Sequence, residues 1–228
     1  MSSKAATASA AVGEMPTYDP RPPSSRTFLL LVAIVLGGIG NLVNAMYGIP
    51  GGDVTVEWAA KHPSAWAAAM YGNALLGLGL LAVLAAVCVL VRRRGAAWAT
   101  VSLAVGSLGT FLLMVSAPAL AVFIPIGKQN VISSAQASAL IDYFAKHDMT
   151  QVAVAFPAFL LLLVTQLTVA VALIRSRAVP LWVPIVFLAG GVVETVFAGG
   201  GALTAALTVP QIVAEIAIGW YAWKKSTA

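Results

Sequence analysis

Six long apolar segments constrain the fold of this chain more than any other feature. Each has roughly the 20 residues that a helix needs to cross the hydrocarbon core of a bilayer. They occupy residues 27–47, 66–91, 96–124, 150–174, 179–198 and 202–223. The sequence therefore predicts an all-α fold, a polytopic transmembrane bundle of six helices that form one domain.

The low charge content of the chain fits a lipid environment. The chain is 60% hydrophobic and only 9% charged over its 228 residues. Soluble domains carry about 25% charged residues, so a water-soluble fold could not cover this much apolar surface. Residues 1–26 are rich in Ala, Ser and Pro and lack an apolar face. They are predicted to be a disordered cytoplasmic tail, and residues 27–228 to be the transmembrane domain.

Lysine and arginine residues concentrate in alternate connections, which predicts how the chain is oriented. Most lie in the N-terminal tail, in the loops after spans two and four, or at the C-terminus: Lys4, Arg21, Arg26, Arg92, Arg93, Arg94, Arg175, Arg177, Lys224 and Lys225. The remaining connections hold only Lys61, Lys128 and Lys146. Basic loops stay on the cytoplasmic side. Both termini are therefore predicted to be cytoplasmic, as an even number of spans requires.

Two of the other loops are predicted to contain short helices that lie on the outer membrane surface. Residues 133–147 read SSAQASALIDYFAKH, in which Leu140, Ile141 and Phe144 share one helical face. Ser134 is the candidate N-cap of this helix. Residues 53–62 are predicted to form the other one.

Two glutamates stand inside spans that are otherwise almost wholly apolar, Glu194 in span five and Glu215 in span six. A carboxyl group in hydrocarbon is costly, so its position usually has a reason. Amides accompany them at Asn41 and Asn44 in span one, Asn73 in span two and Gln211 in span six. Lipid cannot satisfy such groups, so all six side chains must face the interior of the bundle. They are the candidate intramembrane polar site.

The depth of these residues predicts a polar cavity that opens outward. Four of them fall in the outer half of their spans: Asn41, Asn44, Asn73 and Glu194. Glu215 lies deeper, by about 10 Å if a tight turn at Gly201 joins spans five and six. The two carboxyl groups come closer if span six instead begins at Pro210, and the sequence leaves both connections open.

Several chemistries are excluded by the residues that the spans lack. They hold no His for a haem and no Lys for a Schiff base, and the chain has no nucleotide-binding or metalloprotease motif. We therefore predict no cofactor and no metal. The arginine run 92–94 is explained by topology and by anionic lipid headgroups, so nucleic acid is not a predicted partner.

Two functional hypotheses remain for a chain whose predicted partner is the lipid bilayer. The first is a small permease or ion-coupled transporter, for a small molecule or ion that the sequence does not identify, with Glu194 and Glu215 in its pocket. The second is a non-catalytic membrane scaffold or accessory subunit, whose polar and small-residue stripes pack its own helices or other membrane subunits. A lipid-modifying enzyme ranks last because no nucleophile and base are paired in the sequence.

The last third of the chain resembles a bacterial family of six-helix integral membrane proteins that is labelled only as a domain of unknown function. The resemblance is carried by LIRSRAVPLWVPIVFLAGG (173–191) and PQIVAEIAIGWYAWK (210–224). The matching positions are Arg175, Ser176, Pro180, Gly190, Pro210 and Glu215. It implies the six-helix architecture and a location in the bacterial inner membrane, and it implies no particular activity.

Overall fold

The computed structural model describes residues 24–47, 62–121, 133, 135–136, 139, 143, 156–196 and 201–227. Within these ranges the chain is helical and contains no strand. Six helices are described: α1 (Ser24–Tyr47), α2 (Pro63–Leu90), α3 (Ala96–Ala121), α4 (Phe156–Ser176), α5 (Trp182–Val196) and α6 (Ala202–Thr227). The all-α prediction is confirmed for this part of the chain.

Five of these helices are long and apolar enough to cross a membrane. They are α1, α2, α3 as far as Met114, α4 and α6. The remaining helix, α5, is apolar but has only 15 residues, which is about 22 Å at the rise of an α-helix. The described residues thus form a helical bundle of the kind that membranes hold, and five of its described helices have spanning length.

The late start of α5 has a local cause at its first turn. The span was predicted to begin at residue 179, but the chain first makes a turn after α4. Arg177 there has φ 51°, and Pro180, which has no N–H to donate, precedes the helix. The Pro180 carbonyl accepts the first bond, from the Val183 N–H at 3.0 Å. The helix therefore begins at Trp182.

Large apolar side chains cover the outside of the bundle. The most exposed of them include Leu29, Phe111, Leu181 and Leu203, which are between 60% and 73% accessible. Apolar surface of this extent is unfavourable in water. It is the surface expected of helices that face lipid.

Glycines bring α1 and α2 into the closest contact of the bundle. Gly37 lies directly against the Gly79 backbone, and a Cβ atom on either glycine would overlap the other residue's Cα atom. Small residues allow helices in lipid to approach closely. The stripe of small residues in span one is therefore used for packing within this chain.

An apolar core fills the half of the bundle next to the loop at residues 91–95. It is built by α2, α4, α5 and α6, with Ile34 contributed by α1 and Ala99 by α3. Its fully buried members include Val83, Val87, Leu173, Val183 and Ile218. We refer to this cluster as the apolar core.

The two alternatives for the α5–α6 connection are resolved in favour of the tight one. Helix α6 begins at Ala202 and Pro210 lies inside it. The Gly201 N–H donates to the Ala45 carbonyl oxygen at 3.0 Å, which fixes the start of α6 to the end of α1. Because Pro210 has no N–H, the Ala206 carbonyl has no donor four residues further along the helix.

The predicted surface helices lie mostly outside the described residues, which include none of 53–61. In the second of them Ser133, rather than the predicted Ser134, makes the N-cap. The Gln136 N–H donates to the Ser133 hydroxyl at 3.2 Å, and the Ser133 N–H donates to the Gln136 side-chain oxygen at 3.0 Å. This reciprocal pair is a capping box, which fixes the start of a helix.

Candidate functional site

A cavity of about 270 Å³ lies between the helices next to the apolar core, whose members Val83, Leu84 and Phe187 form part of its wall. The end of α1, the middle of α2, the second half of α5 and the first half of α6 meet there with α3 and α4. Its polar lining residues are Asn44, Asn73, Thr110, Thr165, Gln166, Glu194 and Gln211, and the rest of the lining is apolar. We refer to this space as the polar cavity.

Four of the six predicted site residues line the polar cavity, namely Asn44, Asn73, Glu194 and Gln211. The other two, Asn41 and Glu215, are buried, with exposed fractions of 0% and 2%. Each contacts a residue that lines it, as described below. The helical spacing of the stripes thus brings all six side chains into one region.

Glu215 connects to the polar cavity through Gln211. The Gln211 side-chain nitrogen Nε2 donates to Glu215 Oε1 at 3.0 Å, one helical turn along α6. Gln211 lines the cavity, whereas Glu215 lies beyond it towards the apolar core. The two carboxyl groups, Glu194 and Glu215, are near enough to interact electrostatically. Gln211 therefore links the cavity to the second carboxyl group.

Asn41 faces Glu194 from α1. The two side chains are close enough to interact, but neither the nitrogen nor the oxygen of the Asn41 amide makes a hydrogen bond of ordinary geometry. A buried amide without a partner costs about 1–3 kcal/mol. A fully buried side chain in this condition needs an explanation other than stability.

In the described part of the chain three further buried polar atoms lack a hydrogen-bond partner, and all three belong to residues that line the polar cavity. They are Thr110 Oγ1, Gln166 Oε1 and Gln211 Oε1. All three are oxygens that can accept a hydrogen bond or contact a cation. Together with Glu194 they make the cavity rich in acceptors.

Gln166 was missed by the sequence reasoning, although a signal for it existed. It is an amide within the otherwise apolar run of α4. The amides that were chosen for the candidate site lie in their spans in the same way. Its position explains Gly191 on α5, because a Cβ atom at Gly191 would overlap the Gln166 amide. The glycine leaves room for this amide beside the cavity. Thr110 and Thr165 were missed as well, because threonine is common in spans as a bonder of its own backbone.

The charge of the lining residues limits what the polar cavity can bind. None of the lining residues in the described part of the chain is Lys, Arg or His. Carboxyl, amide and hydroxyl oxygens suit hard cations, protons and hydrogen-bonding neutral solutes. An anion would meet acceptors and no positive charge there.

Comparison with known proteins gives no match to this chain. No protein-family model fits it, and neither the curated proteins nor the solved structures include a significant match. The resemblance of residues 173–191 and 210–224 to a six-helix family thus stays an expectation.

Proposed function

We propose that this chain is a small permease or ion-coupled transporter that binds a small cation or polar solute in the polar cavity. The observation that carries the proposal is the convergence of Glu194, Asn44, Asn73, Gln166 and Gln211 on one space inside a membrane bundle. Ionisable residues within membrane helices commonly mark ion and substrate pathways. Here the group has a space beside it that a ligand can enter.

The size of the polar cavity favours a small ligand. Pockets for drug-sized molecules measure about 300–1,000 Å³, and this one measures about 270 Å³. A monovalent cation with part of its water shell, or a small amine or polyol, fits this space. The acceptor-rich lining favours the cation.

Glu215 is the proposed proton-carrying partner of the pair. It is buried, bonded to Gln211 and followed by the apolar core on the side away from the cavity. A carboxyl group removed from water favours its neutral form, and it can release a proton when a cation approaches. The apolar core below it provides the barrier that a coupled transporter needs in this conformation.

We also propose that the chain has both termini in the cytoplasm of a bacterial cell and spans the inner membrane six times. The support is the position of the basic residues in the described part of the chain. Arg26, Arg92–Arg94, Arg175, Arg177 and both C-terminal lysines belong to the same end of the bundle, opposite the polar cavity. By the positive-inside rule this end faces the cytoplasm, so the polar cavity lies in the outer half.

The alternative of a scaffold or accessory subunit has less support from the packing. Its main sequence evidence was the stripes of small residues, which could have been contact surfaces for other subunits. Gly37, Gly79 and Gly191 instead pack against partners within the chain. No unpaired small-residue face remains on these helices at those positions.

Thiol labelling tests whether the polar cavity is open to water. Cys88 is first replaced by Ala, and a cysteine is then introduced at Asn73, which lines the cavity, or at Val87, which lies in the apolar core of the same helix. We expect a membrane-impermeant maleimide to label Asn73→Cys from outside in intact cells and to leave Val87→Cys unlabelled. Equal absence of labelling at both positions would overturn the proposed pathway.

Flux measurements test the role of the carboxyl groups. The purified chain is reconstituted into liposomes, and proton movement is followed while gradients of Na⁺, K⁺ or guanidinium are imposed one at a time. Glu194→Gln preserves side-chain volume and removes the ionisable group, so we expect it to abolish the flux that the native chain supports. Thr204→Val, which alters a polar residue of α6 outside the cavity lining, is the control. Flux by Glu194→Gln equal to that of the native chain would contradict the proposal.

A further inference from the structure

Six basic side chains converge on one cleft at the end of the bundle opposite the polar cavity. The cleft has a volume of about 800 Å³. Its charged lining residues are Arg92, Arg93, Arg94, Arg177, Lys224 and Lys225. They come from three separate parts of the chain: the α2–α3 loop, the α4–α5 loop and the end of α6. We refer to this space as the basic cleft.

The convergence goes beyond what topology requires. The positive-inside rule counts basic residues in loops and sets no condition on where their side chains meet. Arg175 shows the difference, because it is exposed, lies in the last turn of α4 two residues before Arg177, and is not among the residues that line the cleft. Among the described residues, none that lines the cleft is Asp or Glu. Like charges held together in this way repel one another unless an anion lies between them.

Two of the basic residues are held in place by specific backbone features. Lys225 Nζ donates to the Leu90 carbonyl oxygen at the end of α2, at 2.8 Å. Arg177 has φ 51°, a left-handed conformation in which glycine is usual after a helix. Its N–H donates to the Leu173 carbonyl at 3.1 Å, as a residue that ends a helix does. Keeping an arginine there costs conformational energy, which indicates that the side chain has a use.

The chemistry of the cleft identifies its ligand class. Arginine binds phosphate oxygens through a planar fork of donors, and lysine binds them as a point charge. A volume of about 800 Å³ is in the range of pockets that hold whole small molecules. We propose that the basic cleft is a binding site for a ligand that carries two phosphate groups. This inference is independent of the proposed transport function.

The surroundings of the cleft favour a lipid headgroup as the source of the phosphates. Trp98, Trp182 and Trp220 are exposed near this end of the bundle, with accessible fractions between 42% and 48%. Exposed tryptophans mark the level of the lipid headgroups. Basic pockets at the ends of membrane helices can bind two-phosphate lipids of the cardiolipin type.

The test compares matched arginine variants of the full-length chain in detergent. Calorimetric titrations are made with cardiolipin, with phosphatidylcholine as the lipid that has no net charge, and with pyrophosphate as the soluble two-phosphate probe. Arg177→Gln and Arg175→Gln change the charge equally and lie two residues apart. We expect the native chain to bind cardiolipin, Arg177→Gln and Lys224→Gln each to bind it about fivefold more weakly, and Arg175→Gln to bind it as the native chain does.

A second variant separates binding from folding. Arg177→Gly suits the left-handed backbone conformation, so we expect it to raise the unfolding temperature while it weakens cardiolipin binding as Arg177→Gln does. Binding of pyrophosphate with the same dependence on Arg177, and no binding of cardiolipin, would support the site and identify its ligand as soluble. Equal weakening by Arg175→Gln and Arg177→Gln, or no binding of either two-phosphate probe, would overturn the proposal.

Discussion

The polar cavity and the basic cleft lie in opposite halves of the same bundle. They differ in the sign of their ionisable side chains and in how far these are exposed to water. In the cavity half, carboxyl groups and amides are enclosed by helices, and several of their polar atoms have no partner. At the cleft, six cationic side chains gather at helix ends where water and headgroups can reach them. The cavity tolerates few charges because each is removed from water. The cleft tolerates many charges because all of its charged side chains remain exposed to water and headgroups.

The apolar core separates these two regions, so weakening it is the most direct way to break the distinction. Leu173 on α4 is 0% exposed in this core, and Leu173→Ala leaves a cavity there. We expect a loss of about 2–5 kcal/mol in the free energy of unfolding. Leu167→Ala removes the same atoms from an exposed position of the same helix. It should change the stability little, and thermal unfolding in detergent compares the two. Equal losses would show that the core is not close-packed.

A glutamine in the cavity half and a lysine at the cleft should differ in their contribution to stability, although both lie on α6. Gln211→Leu removes the donor to Glu215 and leaves a buried carboxyl group without its bond. We expect a loss of about 1–3 kcal/mol in the free energy of unfolding. Lys224→Gln, at an exposed position, should stay within about 0.5 kcal/mol of the native chain. Chemical unfolding measures both, and a stable Gln211→Leu variant would argue against the Gln211–Glu215 bond.

Added salt should affect the basic cleft and not the polar cavity, because only the charges of the cleft are exposed to solvent. The screening length falls from about 10 Å at 0.1 M to about 3 Å at 1 M salt. We expect cardiolipin binding at the basic cleft to weaken about tenfold over this range, because several exposed cations contribute to it. Maleimide labelling of Asn73→Cys should not change. Cardiolipin binding that is insensitive to salt would mean that acyl-chain contacts, rather than phosphates, hold the lipid.

Asn41 offers the sharpest distinction between stability and function. Its buried amide makes no hydrogen bond of ordinary geometry, so Asn41→Leu removes a desolvation cost. We expect stability to stay level or to rise by about 1 kcal/mol, while flux through the chain falls. A polar residue kept at a cost to stability is typical of a functional site. A lowered stability of the Asn41→Leu variant would instead assign this residue a structural role. The control is Leu36→Ala, at an exposed position of α1.

Much of the fold follows from the sequence because apolar length and loop composition determine helices in lipid. All six described helices fall on the six predicted segments. Helix α5 begins three residues later than predicted, at Trp182, because the turn at Arg177 and Pro180 excludes Val179 and Leu181 from the helix. Ends of helices depend on backbone hydrogen bonds that apolar character does not reveal.

The sequence predicted which side chains of the candidate site face the interior of the bundle, but it did not predict which of them contact one another. The spacing of Gln211 and Glu215 by four residues already places them together on one turn, and their bond is observed. That Gln166 meets Gly191 across α4 and α5 could not be predicted, because helical periodicity does not say which faces meet. The basic cleft was not predicted for the same reason, because its lining residues are far apart in sequence and periodicity does not show that they meet.

The proline inside α6 has a mechanical consequence for the whole molecule. Bending an ordinary helix strains or breaks backbone hydrogen bonds, whereas at Pro210 one of these bonds is already missing. Residues 202–209 are attached to the end of α1 through Gly201 and Ala45, and residues 211–227 pack in the apolar core and reach the basic cleft. Pro210 is thus the position at which α6 can bend at the lowest cost, between a first half attached to α1 and a second half packed in the apolar core.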